Sequence, residues 1–388
     1  MRCTMDLSER EYSLPDAVIG KLLRIAVEDK NIISLGPGEP DFDLPKPLIS
    51  YAQECLPQSN HYSPPGGREE LREALAKKLK KDNKMHVAPD NIIVTTGSQE
   101  ALLLATACTL DVSDQVIIPN PSFLGYLPTF ELFNAFPVGL QLKPEDNWHV
   151  NPDALKKLVN KKKTKAILLN SPGNPTGNVL PKKILEEVAD IAIDNDLHIY
   201  SDEAYEKLIY GKKHYSIGAF NGMNKHVVTL QTFSKSYAMC GFRVGYAAGP
   251  APLIEAMKKT HIYTTLAAPT ISQMIATKAL SLPPSHITKM VTEYDRRRKM
   301  IVKGLNSIGL ETITPHGAFY TLSDISHLAD SSHAFAFSLL QKGKVATVPG
   351  VEFGTHGEGY IRCSYATDYK LIEQALGRIE RFVKKVES

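Results

Sequence analysis

LQTFSKSYAMCGFRVGYAAG, residues Leu230 to Gly249, sets one lysine, Lys235, between the hydroxyls of Ser234 and Ser236. Thr232 stands three positions before the lysine and Arg243 eight after it. An unprotonated lysine amine forms a Schiff base with a carbonyl compound. Hydroxyls and an arginine fork hold phosphate oxygens. A lysine, a carbonyl and a phosphate together suggest pyridoxal 5′-phosphate (PLP). The other reading is a solvated surface lysine. Val227 to Leu230 and Val244 to Ala248 read as strands on either side of this turn. The fold therefore depends on which further strand ends arrive beside it.

Working outward, short apolar runs alternate with amphipathic stretches. Further strands read at Asn91–Thr95, Gln115–Pro119, Val138–Leu142, Ala166–Leu169 and Leu197–Tyr200. Helices read at Arg68–Lys81, from Gly97-Ser98-Gln99 to Thr109, from about Ser122, at Asp153–Val159 and at Lys182–Ile193. Strands separated by helices make an α/β domain with a mainly parallel sheet. In open sheets of that kind, sites gather at the carboxyl ends of the strands. Residues 250–300 form long helical stretches with a break near Leu282-Pro283-Pro284. From about 310 the pattern is mixed, a smaller α+β domain ending in an amphipathic helix from Tyr369. Near the N-terminus, Val18, Leu22, Ile25 and Val27 have close to helical spacing. The loop Gly36-Pro37-Gly38 lacks the third glycine of a dinucleotide fingerprint.

Composition bounds the function. The chain has 388 residues, enough for about two domains. Its 45 basic residues nearly balance 42 acidic ones, a net charge of +3, which does not mark a nucleic-acid binder. The runs Lys161–Lys163 and Arg296–Arg298 lack interleaved aromatics and read as solvated faces. The N-terminus has no apolar signal region, and the longest apolar run, Ala101 to Leu110, is about half a membrane span. Five cysteines (Cys3, Cys55, Cys108, Cys240, Cys363) are scattered without metal spacing, which suggests reduced thiols in the cytoplasm. No metal site is expected, and Cys240 reads as a packing residue.

Each strand end carries polar chemistry. Gly97-Ser98-Gln99 is either a phosphate-binding helix start or a glycine turn capped by Ser98. Phe123, in Asn120–Tyr126, is either a ring that stacks on a pyridine or a core aromatic. Asn170–Gly177 is a rigid Pro/Gly loop in which Asn174 offers an amide donor to a phenolic oxygen. Asp202, at the mouth of a buried strand, needs a cation, and a protonated pyridine nitrogen would serve. Tyr205 follows three residues later, within reach of the same phenolic oxygen. His198 reads as a core or neighbouring-face residue. Arg362 lies in an apolar strand and needs an anion, either a substrate carboxylate or an internal salt bridge.

These segments, taken in order, resemble class I aminotransferases of PLP fold type I, in the branch of aspartate and aromatic amino acid enzymes. The resemblance is carried by Leu35–Phe42, by His61–Gly67 before a Leu-Arg-Glu-Ala-Leu helix, and by Asn170–Gly177. It continues through Ser201–Tyr205, Ser234-Lys235 with Arg243, Val348-Pro349-Gly350 with Phe353-Gly354, and Arg362. It spans about residues 30 to 385. It implies a large domain with a mainly parallel seven-stranded sheet flanked by helices (41–285). An N-terminal arm and part of the small domain precede it (1–40), and a linking helix and C-terminal small domain follow (286–388). It implies a ping-pong transfer of an amino group between an amino acid and a 2-oxo acid. Lys235 is then the Schiff-base and proton-transfer residue, Asp202 pairs with the pyridine nitrogen, and Asn174 and Tyr205 bind the phenolic oxygen O3′. Phe123 stacks on the ring, and Gly97, Ser98, Gln99, Thr232, Ser234 and Arg243 hold the phosphate. Tyr62 reaches the neighbour's phosphate in a homodimer with shared active sites. Arg362 clamps the substrate carboxylate, with Asn174 beside it, and Gly38 lies in the covering loop.

Two departures bear on the substrate. Some aspartate-specific relatives place an arginine on the neighbour's loop, where this chain has His261–Leu266, and others a lysine where it has Gln99. A pocket near Leu35, Tyr126 and Tyr263 then suits an aromatic side chain, so aromatic or broad specificity with 2-oxoglutarate as the common partner is the expectation. Strict aspartate specificity and C–S lyase chemistry are the alternatives. An aminoacyl-tRNA synthetase would need a His-x-Gly-His element, which is missing. A helix-turn-helix sensor would need more than about 30 residues ahead of the motif set.

Overall fold

The computed structural model describes residues 8–15, 20, 24–25, 28–220 and 222–387. The helix expected over Val18, Leu22 and Val27 lies outside the described residues. After β1 (Ile33–Ser34) come β2 (Ile92–Thr95), β3 (Gln115–Asn120), β4 (Phe136–Gln141), β5 (Thr164–Asn170), β6 (His198–Asp202), β7 (Val227–Thr232) and β8 (Gly245–Ala248). β2 to β8 form one sheet in the order β2-β8-β7-β6-β5-β3-β4. β8 is antiparallel to both its neighbours, and every other pairing is parallel. This is the mainly parallel seven-stranded sheet that the resemblance implies.

Alternation along the strands divides the core between two faces. On β5, Ala166 and Leu168 join Ile93, Leu104 and Ile254 under the helices Ser98–Thr109 and Ala251–Thr264. Ile167 and Leu169 join Leu155, Leu185 and Val188 under Pro152–Leu158 and Lys182–Asp194. Burying one such aliphatic side chain contributes about 1.5–3 kcal/mol. The apolar run from Ala101 is thus a helix sandwiched between the sheet and a second helix. Among the described residues, no helix is long and apolar enough to cross a membrane.

The rest of the chain builds a second, smaller unit from β9 (Tyr320–Asp324), β10 (Val345–Ala346), β11 (Val348–Pro349) and β12 (Tyr360–Ser364). β11, β12 and β9 form an antiparallel sheet, and β1 returns from the N-terminal segment to pair in parallel with β10. The helix Ser285–Ser307 begins just after the predicted break at Leu282-Pro283-Pro284, and Tyr369–Glu387 packs on it.

Some expectations shift. The helix expected from Ser122 starts at Tyr126, because the Ser122 N–H is bonded to the Phe353 carbonyl of the second unit at 2.8 Å. The helix expected to reach Lys81 ends at Lys78 and continues as one wide turn to Asn83. The strand expected from Val244 begins one residue later, since Arg243 just before it is left-handed (φ 48°, ψ 59°). His198, expected in the core or on a neighbouring face, is exposed at the start of β6.

The loop after β5 is tied to the second unit at Gly177, whose carbonyl accepts from the His316 and Gly317 N–H groups, both at 2.9 Å. Gly177 has φ +65°, and a Cβ there would stand 2.3 Å from Cβ of Pro315. Gly177→Ala is expected to lower unfolding stability by about 1–3 kcal/mol, read as a lower urea midpoint. An unchanged midpoint would show that this turn is not constrained.

Candidate active site

The carboxyl ends of β2, β3, β5, β6 and β7 share one edge of the sheet, where Asn170 stands opposite Asp202. One cavity at this edge is lined by Gly97, Ser98, Gln99, Phe123, Asn174, Asp202, Tyr205, Thr232, Ser234, Lys235 and Arg243 of the expected set. Chain segments far apart in sequence meet there because each strand–helix crossover returns the chain to the same edge.

Asp202 ends β6 and is 8% exposed. Its Oδ2 accepts from the Tyr126 hydroxyl at 2.7 Å and its Oδ1 from the Ala204 N–H at 3.0 Å. Burial pushes its carboxyl above the usual range, and those two hydrogen bonds pull it back only in part. It makes no ion pair among the described residues, so a cation above it would be needed to hold it ionised.

Arg362, on β12, is 2% exposed. Its Nη1 donates to Asn174 Oδ1 at 3.0 Å and its Nη2 to the Gly36 carbonyl at 2.6 Å, while its buried Nε has no partner. The guanidinium lies 4.4 Å from the Tyr320 ring centre and 4.7 Å from that of Phe353. No carboxylate pairs with it among the described residues, so the internal salt bridge left open by the sequence is not formed. Because Oδ1 of Asn174 is taken by Arg362, its Nδ2 remains as the donor. Asn174 is held in turn by Asn170, whose Oδ1 accepts the Asn174 N–H at 2.8 Å.

Lys235 sits in the short helix Phe233–Ser236. Its Nζ donates to the Gly38 carbonyl at 2.5 Å and lies 5.9 Å from the Tyr205 ring centre. Thr232 caps that helix by accepting the Ser234 N–H at 3.2 Å. At the other end of the cavity, Gly97 has φ +108°, and a Cβ there would meet Arg243 Nη2 at 3.0 Å. Arg243 spans the turn, donating to the Thr96 carbonyl at 3.1 Å and the Cys240 carbonyl at 3.0 Å. Glu100 anchors the helix start by accepting the Thr96 N–H at 2.6 Å and the Thr265 hydroxyl. Tyr62 is 88% exposed and does not line the cavity of its own chain.

The aromatic pocket expected from Leu35, Tyr126 and Tyr263 is not assembled within one chain. Leu35 is wholly buried in the second unit's core, and the Tyr126 hydroxyl is committed to Asp202. Tyr263 is 81% exposed and does not line the cavity. Sequence reasoning missed the support roles of Tyr126, Asn170 and Tyr320. Asn170 carried a signal as the first residue of its loop, and Tyr126 one as the end of Phe123-Leu124-Gly125-Tyr126. Tyr320 carried none, since Gly317–Leu322 reads as ordinary strand core.

A buried charged cluster lies directly behind the site. Glu203 and Glu206 converge with His214, their ligand atoms within 4.8 Å of one another. Glu206 pairs with Lys78, and its Oε2 accepts from Asn83 at 2.6 Å and Gln231 at 2.9 Å. Glu203 accepts from Ser201 at 3.1 Å and Ser216 at 2.6 Å. These donors occupy the carboxylate lone pairs that a cation would use.

The residues fit the cofactor that the sequence suggested. Asp202 lacks a cation, Arg362 Nε lacks an acceptor, and Gly97 keeps the turn beside Arg243 free of a side chain. A lysine-bearing turn facing a buried aspartate on this sheet defines a PLP enzyme of fold type I. The sequence pattern of the family described as aminotransferase class I and II matches residues 30–379, and the chain belongs to that family. It is 44% identical over 386 residues to an aspartate aminotransferase of Pyrococcus abyssi, covering 98% of this chain and 99% of that one. It is 42% identical to aromatic-amino-acid aminotransferase 2 of Thermococcus litoralis, with the same shares covered. The crystal structure of an aromatic aminotransferase from Pyrococcus horikoshii superposes with a TM-score of 0.90 at 42% identity, covering 94% of this chain and 99% of that one. The protein is accordingly a PLP-dependent transaminase.

The carboxyls of Glu206 and Glu100 are both held at about 2. Burial opposes this in each, but it is outweighed by Lys78, Lys207 and His214 around Glu206, and by His261, Thr265 and the Thr96 N–H around Glu100. Folded-state values below the unfolded 4.5 give stability that is complete above about pH 5 and lost as the pH falls toward 2. Urea unfolding at stepped pH should show this loss. Glu206→Gln should lower stability at pH 7 and flatten the acid limb; a variant limb parallel to the parent's would remove Glu206 from the cause.

Proposed function

We propose that the enzyme moves an amino group between L-amino acids of aromatic or broad range, aspartate possible among them, and 2-oxoglutarate. The observation that carries this is Arg362, a buried guanidinium whose vacant Nε and flanking rings suit an α-carboxylate. Among the described residues, the cations lining the cavity beside it are Lys235 and Arg243. Both have other work, so no further cation among the described residues awaits a side-chain carboxylate, which favours uncharged side chains.

When bound, PLP supplies an electron sink. Lys235 would tether it, and its amine, once released, would hold and move the proton taken from the substrate Cα. Asp202 keeps the pyridine nitrogen protonated, and Tyr126 and the Ala204 N–H orient that carboxylate. Asn174 and Tyr205 donate to O3′, while Phe123 stacks on the ring. Ser98, Gln99, Thr232, Ser234 and Arg243 bind the phosphate, with Gly97 giving it room. Gly38 lies over the substrate and positions the Lys235 amine through its carbonyl. Residues 41–285 form the cofactor-binding unit, and Gly36 and Gly38 of the segment before it frame the substrate side together with Arg362 of the unit after it. The exposure of Tyr62 and Tyr263 supports a homodimer with shared active sites. A cytoplasmic place in amino acid metabolism accords with dispersed, unpaired Cys55, Cys108, Cys240 and Cys363.

Purified protein is expected to be yellow, and Lys235→Ala is expected to lose the visible band; a variant that keeps it would remove Lys235 from its role. Mixing the PLP-loaded enzyme with single amino acids and following loss of that band ranks the substrates. Tyrosine and phenylalanine are expected to react fastest, with 2-oxoglutarate restoring the band. If they react no faster than alanine, or if aspartate alone reacts, the aromatic assignment is wrong. Release of ammonia and pyruvate from cystathionine would point instead to lyase chemistry.

A further inference from the structure

Tyr320 opens β9 and is 1% exposed. It stands opposite Ser364 in the register of β9 and β12, while Arg362 stands opposite Leu322. Side chains two residues apart on a strand share a face, so Tyr320 and Arg362 are diagonal neighbours on one face of this sheet. That placement seats the Tyr320 ring against the Arg362 guanidinium at 4.4 Å. Its hydroxyl lies 2.9 Å from the Tyr205 hydroxyl, with the two rings near perpendicular at 81°. It also closes on the covering loop, where a Cβ on Gly38 would stand 2.7 Å from the Tyr320 oxygen. One side chain therefore touches the carboxylate clamp, the donor to O3′, and the loop whose carbonyl holds Lys235.

We propose that Tyr320 is a positioning residue that acts through Tyr205 and Arg362, joining carboxylate capture to the cofactor's phenolic oxygen. The proposal rests on the roles given to Tyr205 and Arg362 under the proposed function. Its logic follows from counting protons. A hydroxyl has one proton to donate. If Tyr205 spends its proton on O3′, the bond between the two tyrosines must run from Tyr320 to Tyr205. A donor behind Tyr205 polarises its O–H and strengthens what it offers in front. That bond and the proton on the Lys235 nitrogen compete for the same O3′, so Tyr320 loosens the Lys235 proton from a distance. The charged groups facing the tyrosine pair are Arg362 from β12, Asp202 from β6 and Lys235 from its short helix. The ring, by contrast, serves the clamp, since it backs the guanidinium and keeps it from turning away from a carboxylate.

The two halves of the side chain can be removed separately. Tyr320→Phe deletes only the oxygen, and Tyr320→Leu also removes the ring. The readout is the pH midpoint of the visible absorption band of the PLP-loaded enzyme, with thermal melting as a check on folding. Tyr320→Phe is expected to raise the midpoint by about 0.5–1 unit, the scale of one buried hydrogen bond. Tyr205→Phe is expected to raise it further, and the double variant no further than Tyr205→Phe. Tyr320→Leu is expected to raise KM for the amino acid and the oxo acid several-fold, with Tyr320→Phe changing KM little. A Tyr320→Phe midpoint equal to the parent's, while Tyr205→Phe shifts it, would overturn the proposal and leave the site intact. Additive shifts in the double variant would overturn it too, because Tyr320 would then act independently of Tyr205. If Tyr205→Phe itself leaves the midpoint unmoved, the role given to Tyr205 falls, and this proposal with it.

Discussion

Asp202 is a carboxylate shut away from water with two hydrogen-bond donors and no ion-pair partner among the described residues. Such a group is costly to bury unless something positive completes it. The surrounding chain is arranged to permit that completion. β6 carries Asp202 to the sheet edge, Tyr126 and the Ala204 N–H fix both oxygens, and Lys235 arrives from the next strand over. Behind it, Glu203 and Glu206 add negative charge, which Lys78 balances in part. Among the described residues the site is therefore electrostatically incomplete, and a cationic heterocycle would match it.

Arg362 poses the same problem with the sign reversed. It reaches the sheet edge from the second unit, so the two halves of the molecule meet at a pair of unmatched buried charges. Asn174 links them: its backbone N–H is held by Asn170 in the large sheet and its side chain by Arg362 in the small one. Gly177 closes the same loop onto the second unit. A substrate carboxylate at Arg362 would thus land on a loop already tied to the large sheet.

Much of this was legible beforehand because it follows from local rules. Apolar runs bounded by Gly, Pro and Asn gave the seven strands, and the polar residues singled out at their ends, Lys235, Asp202, Asn174 and Tyr205, line one cavity. What escaped depends on partners far away in sequence. Tyr320 looks like any core aromatic until β9 pairs with β12 in its observed register. Tyr126 does line the cavity, but nothing local reveals that its hydroxyl goes to Asp202. The helix start at Tyr126 rather than Ser122 depends on a carbonyl of Phe353, more than two hundred residues downstream. His198 misled through strand periodicity, which cannot tell a buried strand interior from an exposed strand mouth. Leu35 misled through proximity, since the loop it precedes faces the site while its own side chain is drawn into the second core.

β8 is the one reversed strand in the large sheet. A strand running against its neighbours begins where they end. Arg243 can therefore stand at the cofactor edge as a residue entering a strand, while Thr95 and Thr232 reach it as residues leaving theirs. The chain passes from Lys235 to Arg243 without crossing the sheet, through one compact turn of fixed length. That turn works as a caliper: its span sets the separation between the Lys235 amine and the Arg243 guanidinium, which under the proposed function would tether the cofactor and meet its phosphate. An insertion or deletion between these two residues would move the amine relative to the guanidinium, and with them the two ends of any cofactor they hold.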